Sequence, residues 1–293
     1  MASRTKLARA ELGVVSSLQA SATRVHSRAD LAALFYAERK IGTFAGHTTL
    51  GQFLTFLTER GHLIPVTLRS KRYDQSIPRY CVGKISPFEL ASSLRRTGYF
   101  SHATAAYLHG LLTNKPDALH LNVEQSAKPS RAGTLTQIAL NRAFQSKQRQ
   151  SNLSFTHQDL TVTILSGKHT ERLGVESLKG PSTELLQVTN LERTLIDLVV
   201  RPAYAGGTSS VLEAYRSARD RMSASHLIDI LRSLNHLYPY AQAIGFLMQR
   251  TGYSEDHLAL LRPEVTEFQF YLEHGMKKSE YDDVWRLHYP KRM

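Results

Sequence analysis

Apolar positions in the first ninety residues repeat at helical spacing and then change to the spacing of strands. Leu7, Leu12, Val15 and Leu18 predict a first helix, and Leu31, Leu34 and Phe35 predict a second over Leu31–Lys40, opened by Asp30. Leu50, Phe53, Leu54 and Leu57 recur at i, i+3, i+4 and i+7, with Thr48 or Thr49 as cap and Gly61 as stop, and predict a third. A strand-like run follows at His62–Leu68. A polar turn then carries Arg69, Lys71, Arg72 and Asp74, and Pro78–Val82 returns as a second strand. Helices followed by a two-stranded ribbon with a basic tip are the order of a winged helix-turn-helix. There the last helix enters the major groove and the ribbon touches phosphate or the minor groove.

On that reading the groove-facing residues are His47, Thr48, Thr49 and Gln52, with Arg60 in the last turn on phosphate. Arg69, Lys71 and Arg72 are the wing contacts. The connection Ile41–His47, with Gly42 and Gly46, is longer than a three-residue turn. The plainer alternative is an ordinary helix and hairpin whose charges are simply solvated. Ser86-Pro87-Phe88-Glu89 is a helix start with Ser as cap, Pro at the first position and Glu at the third. It divides a DNA-binding domain, residues 1–85, from a second domain, residues 86–293.

The second domain mixes periods. A helix is expected over Ser101–His109, a strand at His120–Val123, and a helix over Thr134–Phe144 with Leu135, Ile138 and Ala139 inward. Gln145–Asn152 reads as a polar loop, and Ser154–Thr156, Leu160–Leu165 and Gly174–Leu178 read as strands. From Thr189 the pattern turns helical. Thr189-Asn190-Leu191-Glu192 forms a capping box, Ser210–Glu213 caps the next helix, and Ser223–Leu234 and a helix from Pro239 to Arg250 follow. The tail keeps Trp285 and Tyr289 and is expected to dock. The expected class is α+β: an N-terminal winged helix-turn-helix, then a mixed domain that is mainly helical after residue 188.

Composition narrows the function. The formal net charge is +12, and it is uneven: residues 1–90 hold 13 basic and 6 acidic side chains, residues 181–293 hold 13 and 14. A basic first part attracts polyanions such as nucleic acid. Cys81 is the single cysteine and suits a buried thiol in a cytoplasmic protein. No apolar run reaches membrane-spanning length, so no membrane partner is expected. His102 and His109 lie seven apart with no ligand-spaced Cys or carboxylate, and the Gly-Lys-His-Thr run at 167–170 lacks the upstream glycine of a phosphate loop. The acids fall at helix starts or four from an arginine rather than in clusters. No metal, cofactor or catalytic residue is assigned, and the chain is expected not to be an enzyme.

The segments LSGKHTERLGV (165–175), LQVTNLERTLIDLVVRPAYAGG (186–207) and VLEAYRSARDRMSASHL (211–227) resemble the C-terminal domain of AbiEi-type antitoxins of the abortive-infection, type IV toxin–antitoxin family. SPFELASSLRRTGYFSHATAAYLHGLL (86–112) resembles the start of that domain. The resemblance implies a bacterial antitoxin that counters a nucleotidyltransferase-like toxin, with or without a stable complex. It also implies a winged helix that represses the operon by binding inverted repeats in its own promoter; cooperative self-association of copies on that double-stranded DNA is expected to go with repression. The chain departs from the shorter family pattern in its residues before Ser27 and in the Ile41–His47 connection. Arg193, Asp197, Arg201, Arg216 and Arg219 are the candidates for an exposed antitoxin surface, with pairing among themselves as the alternative. A stand-alone winged-helix transcriptional regulator with a ligand-sensing second domain is the competing function.

Overall fold

The computed structural model describes residues 6–70, 72–127, 134–291 and 293. In chain order the first elements are α1 (Lys6–Gln19), β1 (Val25–His26), α2 (Arg28–Lys40), α3 (Leu50–Glu59), β2 (Ile64–Ser70), β3 (Gln75–Cys81) and α4 (Pro87–Ser92). Next come β4 (Tyr99–Phe100), α5 (His102–Leu108), β5 (Leu119–Glu124), α6 (Gln137–Gln145), β6 (Ser154–His157), β7 (Leu160–Gly167), β8 (Val175–Lys179) and β9 (Leu185–Thr189). The chain continues with α7 (Leu191–Val200), α8 (Thr208–Ala218), α9 (Ala224–Leu234), α10 (Tyr240–Arg250) and α11 (Glu255–Leu261), and ends in β10 (Phe270–Tyr271), β11 (Ser279–Asp282) and β12 (Leu287–Pro290). The fold is α+β. Two compact units divide it: residues 1–96 with 153–162, and residues 97–152 with 163–293. The sequence reading divides the chain at 85/86 instead. The difference arises because α4 is tied into the first unit by Arg24, which grips Glu89 with two hydrogen bonds of 2.8 and 2.7 Å, and because β6 pairs with β2.

In the first unit α1 to α3 enclose one core. Val14 and Leu18 from α1, Leu31 and Phe35 from α2, and Phe53, Leu54 and Leu57 from α3 are its buried members. The inward stripe of α1 therefore passes through Val14 rather than Val15, and Leu12 faces out, because spacings of four hold one face over this helix. Ser27, not Asp30, is the cap of α2, and Asp30 is the third-position acid that completes its capping box. The long connection before α3 is filled. Phe44 is buried there and stacks on Phe35, with ring centroids 5.6 Å apart. The β2–β3 hairpin pairs antiparallel from Ile64↔Cys81 to Ser70↔Gln75, with β1 on the outer side of β3 and β6 on the outer side of β2. Cys81 is buried, and burial first, then Glu89, pushes its thiol up to about 11.

In the second unit β4 pairs antiparallel with β5 and parallel with β9, and β8 pairs antiparallel with β9. β9 is a strand the periodicity misses, because its burial alternates over only five residues. A helical layer follows, centred on α10, whose residues Tyr240–Met248 are all buried. On α6, Leu140 and Phe144 point inward, whereas Ile138, expected inside, is 82% exposed and Ala139 is exposed as well. The helix begins after Thr136, which caps it, and the i, i+4 pair it buries starts three residues later than Gln137. The cap of α7 is Asn190, one residue later than expected, which frees Glu192 to accept from the Ser223 N–H at 2.9 Å. Likewise α8 starts at Thr208, before the expected Ser210.

The tail is docked but not helical; it forms a three-stranded sheet, β10-β12-β11. Trp285 is fully buried, and a Cβ added to Gly245 would lie 2.1 Å from its ring, so glycine at that position is what lets the indole rest on α10. Gln242 donates to the Trp285 and Phe268 carbonyls at 3.0 Å and accepts from Thr266. Among the described residues no helix is long and apolar enough to cross a membrane.

Candidate nucleic-acid interface

The start of α3 sets the geometry of the helix–hairpin face. Thr49 is the N-cap, its N–H donates to Gln52 Oε1 at 2.9 Å, and the Gln52 N–H donates to Thr49 Oγ1 at 3.2 Å. The reciprocal box uses the oxygens of both side chains. The amide NH2 of Gln52 keeps no partner among the described residues and remains as a donor on an exposed position. Gln52, Thr55 and Glu59 form the outward stripe of α3, opposite buried Phe53, Leu54 and Leu57. Thr55 is a contact candidate the sequence reading missed; the i, i+3 spacing from Gln52 is the signal that would have found it.

Thr48 corrects an expectation. It is 9% exposed and does not face a groove. It stands just before the cap, where a residue packs toward the fourth helical position, here the buried Phe53. His47 and Thr49 are exposed as expected. Arg60, at the C-cap, is exposed, but its guanidinium lies over the Phe56 ring at 5.4 Å and 3.8 Å from Glu11. That carboxylate also takes the His62 ring at 2.8 Å, so Arg60 is part of a local cluster.

At the hairpin the basic side chains are freer. Arg69 is exposed on β2, in register with Ser76 on β3 and Thr156 on β6. Arg72 is exposed in the turn, 5.9 Å from the Tyr73 ring, and Asp74 at φ +47° closes the turn. Neither arginine has a carboxylate partner among the described residues. Lys71 lies outside the described residues. Arg79 on β3 shows what a structural arginine looks like in the same ribbon. It donates to the Ser93 carbonyl at 2.7 Å and to Ser93 Oγ at 3.1 Å, and burial and then Arg95 lower its pKa.

The second unit treats its candidates differently. Arg193 and Asp197 are 6% and 8% exposed and pair at 2.9 Å, so they are not part of an exposed surface. Arg193 also donates to the Leu173 carbonyl at 2.8 Å, and Gly174 at φ +68° passes so close that a Cβ there would lie 2.9 Å from Arg193 Cβ. Burial works against the guanidinium charge, but Asp197, Tyr99 and Glu124 together outweigh it and raise the pKa. The helix face that carries them packs inward because α7 is buried on nearly all sides. Arg201 is half-buried, 5.9 Å from the Tyr204 ring. Arg216 and Arg219 are exposed on α8, and Arg219 lies 3.3 Å from Asp220.

The Gly-Lys-His-Thr loop does cradle an anion, and the anion is the protein's own. Glu124 accepts from the backbone N–H groups of Thr170 and Arg172 at 3.0 and 3.1 Å, from Tyr99 at 3.1 Å and from the Thr170 hydroxyl. Burial would raise Glu124, but those hydrogen bonds outweigh it and lower its pKa. Among the described residues no group of three or more His, Cys, Asp or Glu is placed to hold a metal ion.

Fold and faces together define an α+β protein with an exposed helix–hairpin face in its first unit. Comparison adds the fold of one further protein: the crystal structure of the RV2827C protein from Mycobacterium tuberculosis is similar over 96% of this chain and 91% of that chain, with a TM-score of 0.59 and 18% identity. No family model matches the sequence, and no curated protein matches it.

Proposed function

We propose that this chain is the antitoxin of a toxin–antitoxin module, countering a nucleotidyltransferase-like toxin and repressing its own operon. The observation that supports the DNA-binding half is the pair of exposed arginines, Arg69 and Arg72, without a carboxylate partner among the described residues, at a hairpin that follows a helix whose Gln52 NH2 has no partner among them. This arrangement reads as a winged helix: α3 addresses base edges with Gln52, Thr55 and His47, and the hairpin holds phosphate or reaches the minor groove with Arg72 and Tyr73. The unit binds inverted promoter repeats as cooperating copies in the bacterial cytoplasm and performs no catalysis. The antitoxin half rests on the sequence resemblance over residues 86–227 and draws on the exposed Arg216 and Arg219 of the second unit.

The test is growth of cells that co-express the chain with the product of its neighbouring gene. The wild-type chain and an Arg69→Ala/Arg72→Ala variant are run side by side. Point changes are preferable to removing residues 1–85, which would leave β6 without β2. Rescue by both, with operon repression lost only in the variant, is the expected result. No rescue from a neighbour that is toxic alone would overturn the antitoxin reading. The second reading, a stand-alone regulator whose second domain senses a ligand, is favoured by one observation, an open cleft in the second unit.

A further inference from the structure

That cleft has a volume of about 390 Å³ and opens between the loop 113–118 and the segment leading into α8. Its floor is made by Ala103, Leu112 and Ala205 together with the rings of His120 and Tyr204, whose centroids are 5.2 Å apart. His120 is 9% exposed, and its Nδ1 is buried with no hydrogen-bond partner among the described residues. Buried polar side chains nearly always have a partner, and leaving one without costs about 1–3 kcal/mol. That nitrogen is itself closed to solvent, so the cleft meets His120 through the rest of its ring. Burial lowers His120 to about 4, so near neutral pH the ring carries one donor and one acceptor. Beside it His102 opens α5 at φ +53°, a conformation that non-glycine residues adopt at a cost and that gathers at binding sites.

The rim has a different chemistry. Asp117 and Glu213 are exposed carboxylates, Lys115 is an exposed cation, and Ser210 is half-buried on the first turn of α8. Two carboxylates and one ammonium repel a simple anion. They suit a ligand that offers hydroxyl donors to the acids and a single anionic group to the lysine. We propose that the cleft binds a nucleoside 5′-monophosphate, with the heterocycle on the His120 and Tyr204 floor, the ribose hydroxyls on Asp117 and Glu213, and the phosphate at Lys115. A planar base can lie against the His120 and Tyr204 rings, and the volume lies within the range of small-molecule sites.

The test is calorimetric titration of the full chain with AMP, GMP, CMP and UMP, their parent nucleosides, and inorganic phosphate. One mononucleotide is expected to saturate a single site, and phosphate alone is not. Lys115→Ala should weaken that mononucleotide about tenfold and leave its nucleoside unchanged, whereas Glu213→Gln should weaken both about tenfold. Both substitutions replace exposed side chains, so the fold is kept. Absence of saturable binding by every probe overturns the proposal. So does binding that neither substitution changes, or phosphate binding as tight as the mononucleotide's. The titration needs neither DNA nor toxin, so its failure leaves the proposed function standing and the reverse also holds.

Discussion

Arginines of the first unit's hairpin and of the second unit's helix α7 sit in opposite surroundings. Arg69 and Arg72 stand in water with no carboxylate partner among the described residues, while Arg193 is sealed against Asp197 and a backbone carbonyl. A charge held in water without a partner contributes little to stability and stays available to a polyanion. A buried, paired charge is committed to the fold. Removing one member of a buried pair leaves the other uncompensated, which costs about 3–5 kcal/mol. Asp197→Ala should therefore lower unfolding stability by that amount in urea melts. A loss under about 1 kcal/mol would mean that Arg193 reaches solvent and that the contrast is false.

Acid should strain the same unit next. His120 is held at about 4 in the folded chain by burial, below the ordinary value of 6.5 that it regains on unfolding. The unfolded chain therefore takes up the proton first as pH falls. The stability this ring permits is complete above about pH 6.5 and is lost progressively toward pH 4, on the order of 3 kcal/mol in all. His102, lowered in the same direction by burial first and then by His120, adds to the loss. Denaturation curves at pH 7 and pH 4.5 check this, and a His120→Gln chain should show a shallower dependence.

The hairpin should answer to salt instead. Each phosphate contact adds roughly one unit to the slope of log affinity against log salt. Arg69→Ala and Arg72→Ala should each reduce the slope for the DNA upstream of the gene by about that much and weaken binding by about 1 kcal/mol, with melts unchanged. An unaltered slope in the double variant would make the hairpin a solvated ribbon.

Legibility followed the same division. Helical spacing read α2 and α3 with their core residues, since Leu31, Phe35, Phe53, Leu54 and Leu57 repeat at one period and are all buried. Phe44 was not legible as an anchor, because a single aromatic in a loop has no period; its packing on Phe35 comes from the tertiary fold. Arg193 and Asp197 stand four apart and are expected on an exposed surface, with pairing as the alternative; spacing on one helix says nothing about the neighbours that bury it, and α7 is covered on nearly all sides. The tail strands were hidden for a related reason. Their order depends on Gln242 bonding to carbonyls more than twenty residues away. Gln52 was read as a groove contact, yet half of its amide closes the cap.

Arg216 and Arg219 put the comparison to its finest test, because they are second-unit charges in the surroundings of the first unit. They lie three apart at the end of α8, both exposed, and Asp220, 3.3 Å from Arg219, is itself in solvent. An exposed ion pair contributes between nothing and about 1 kcal/mol, and Arg219, the C-cap of α8, caps through its backbone N–H, which alanine keeps, so each change should stay within about 0.5 kcal/mol. The double change Arg216→Ala/Arg219→Ala should thus leave the melting curve in place, in contrast to Asp197→Ala a few turns away in sequence. If this surface meets the toxin, the same variant should fail to restore growth while remaining folded and still binding DNA, since the hairpin is untouched. Full rescue would move the antitoxin surface elsewhere on the second unit. A clear fall in melting temperature would return both arginines to the structural role that Arg193 already has.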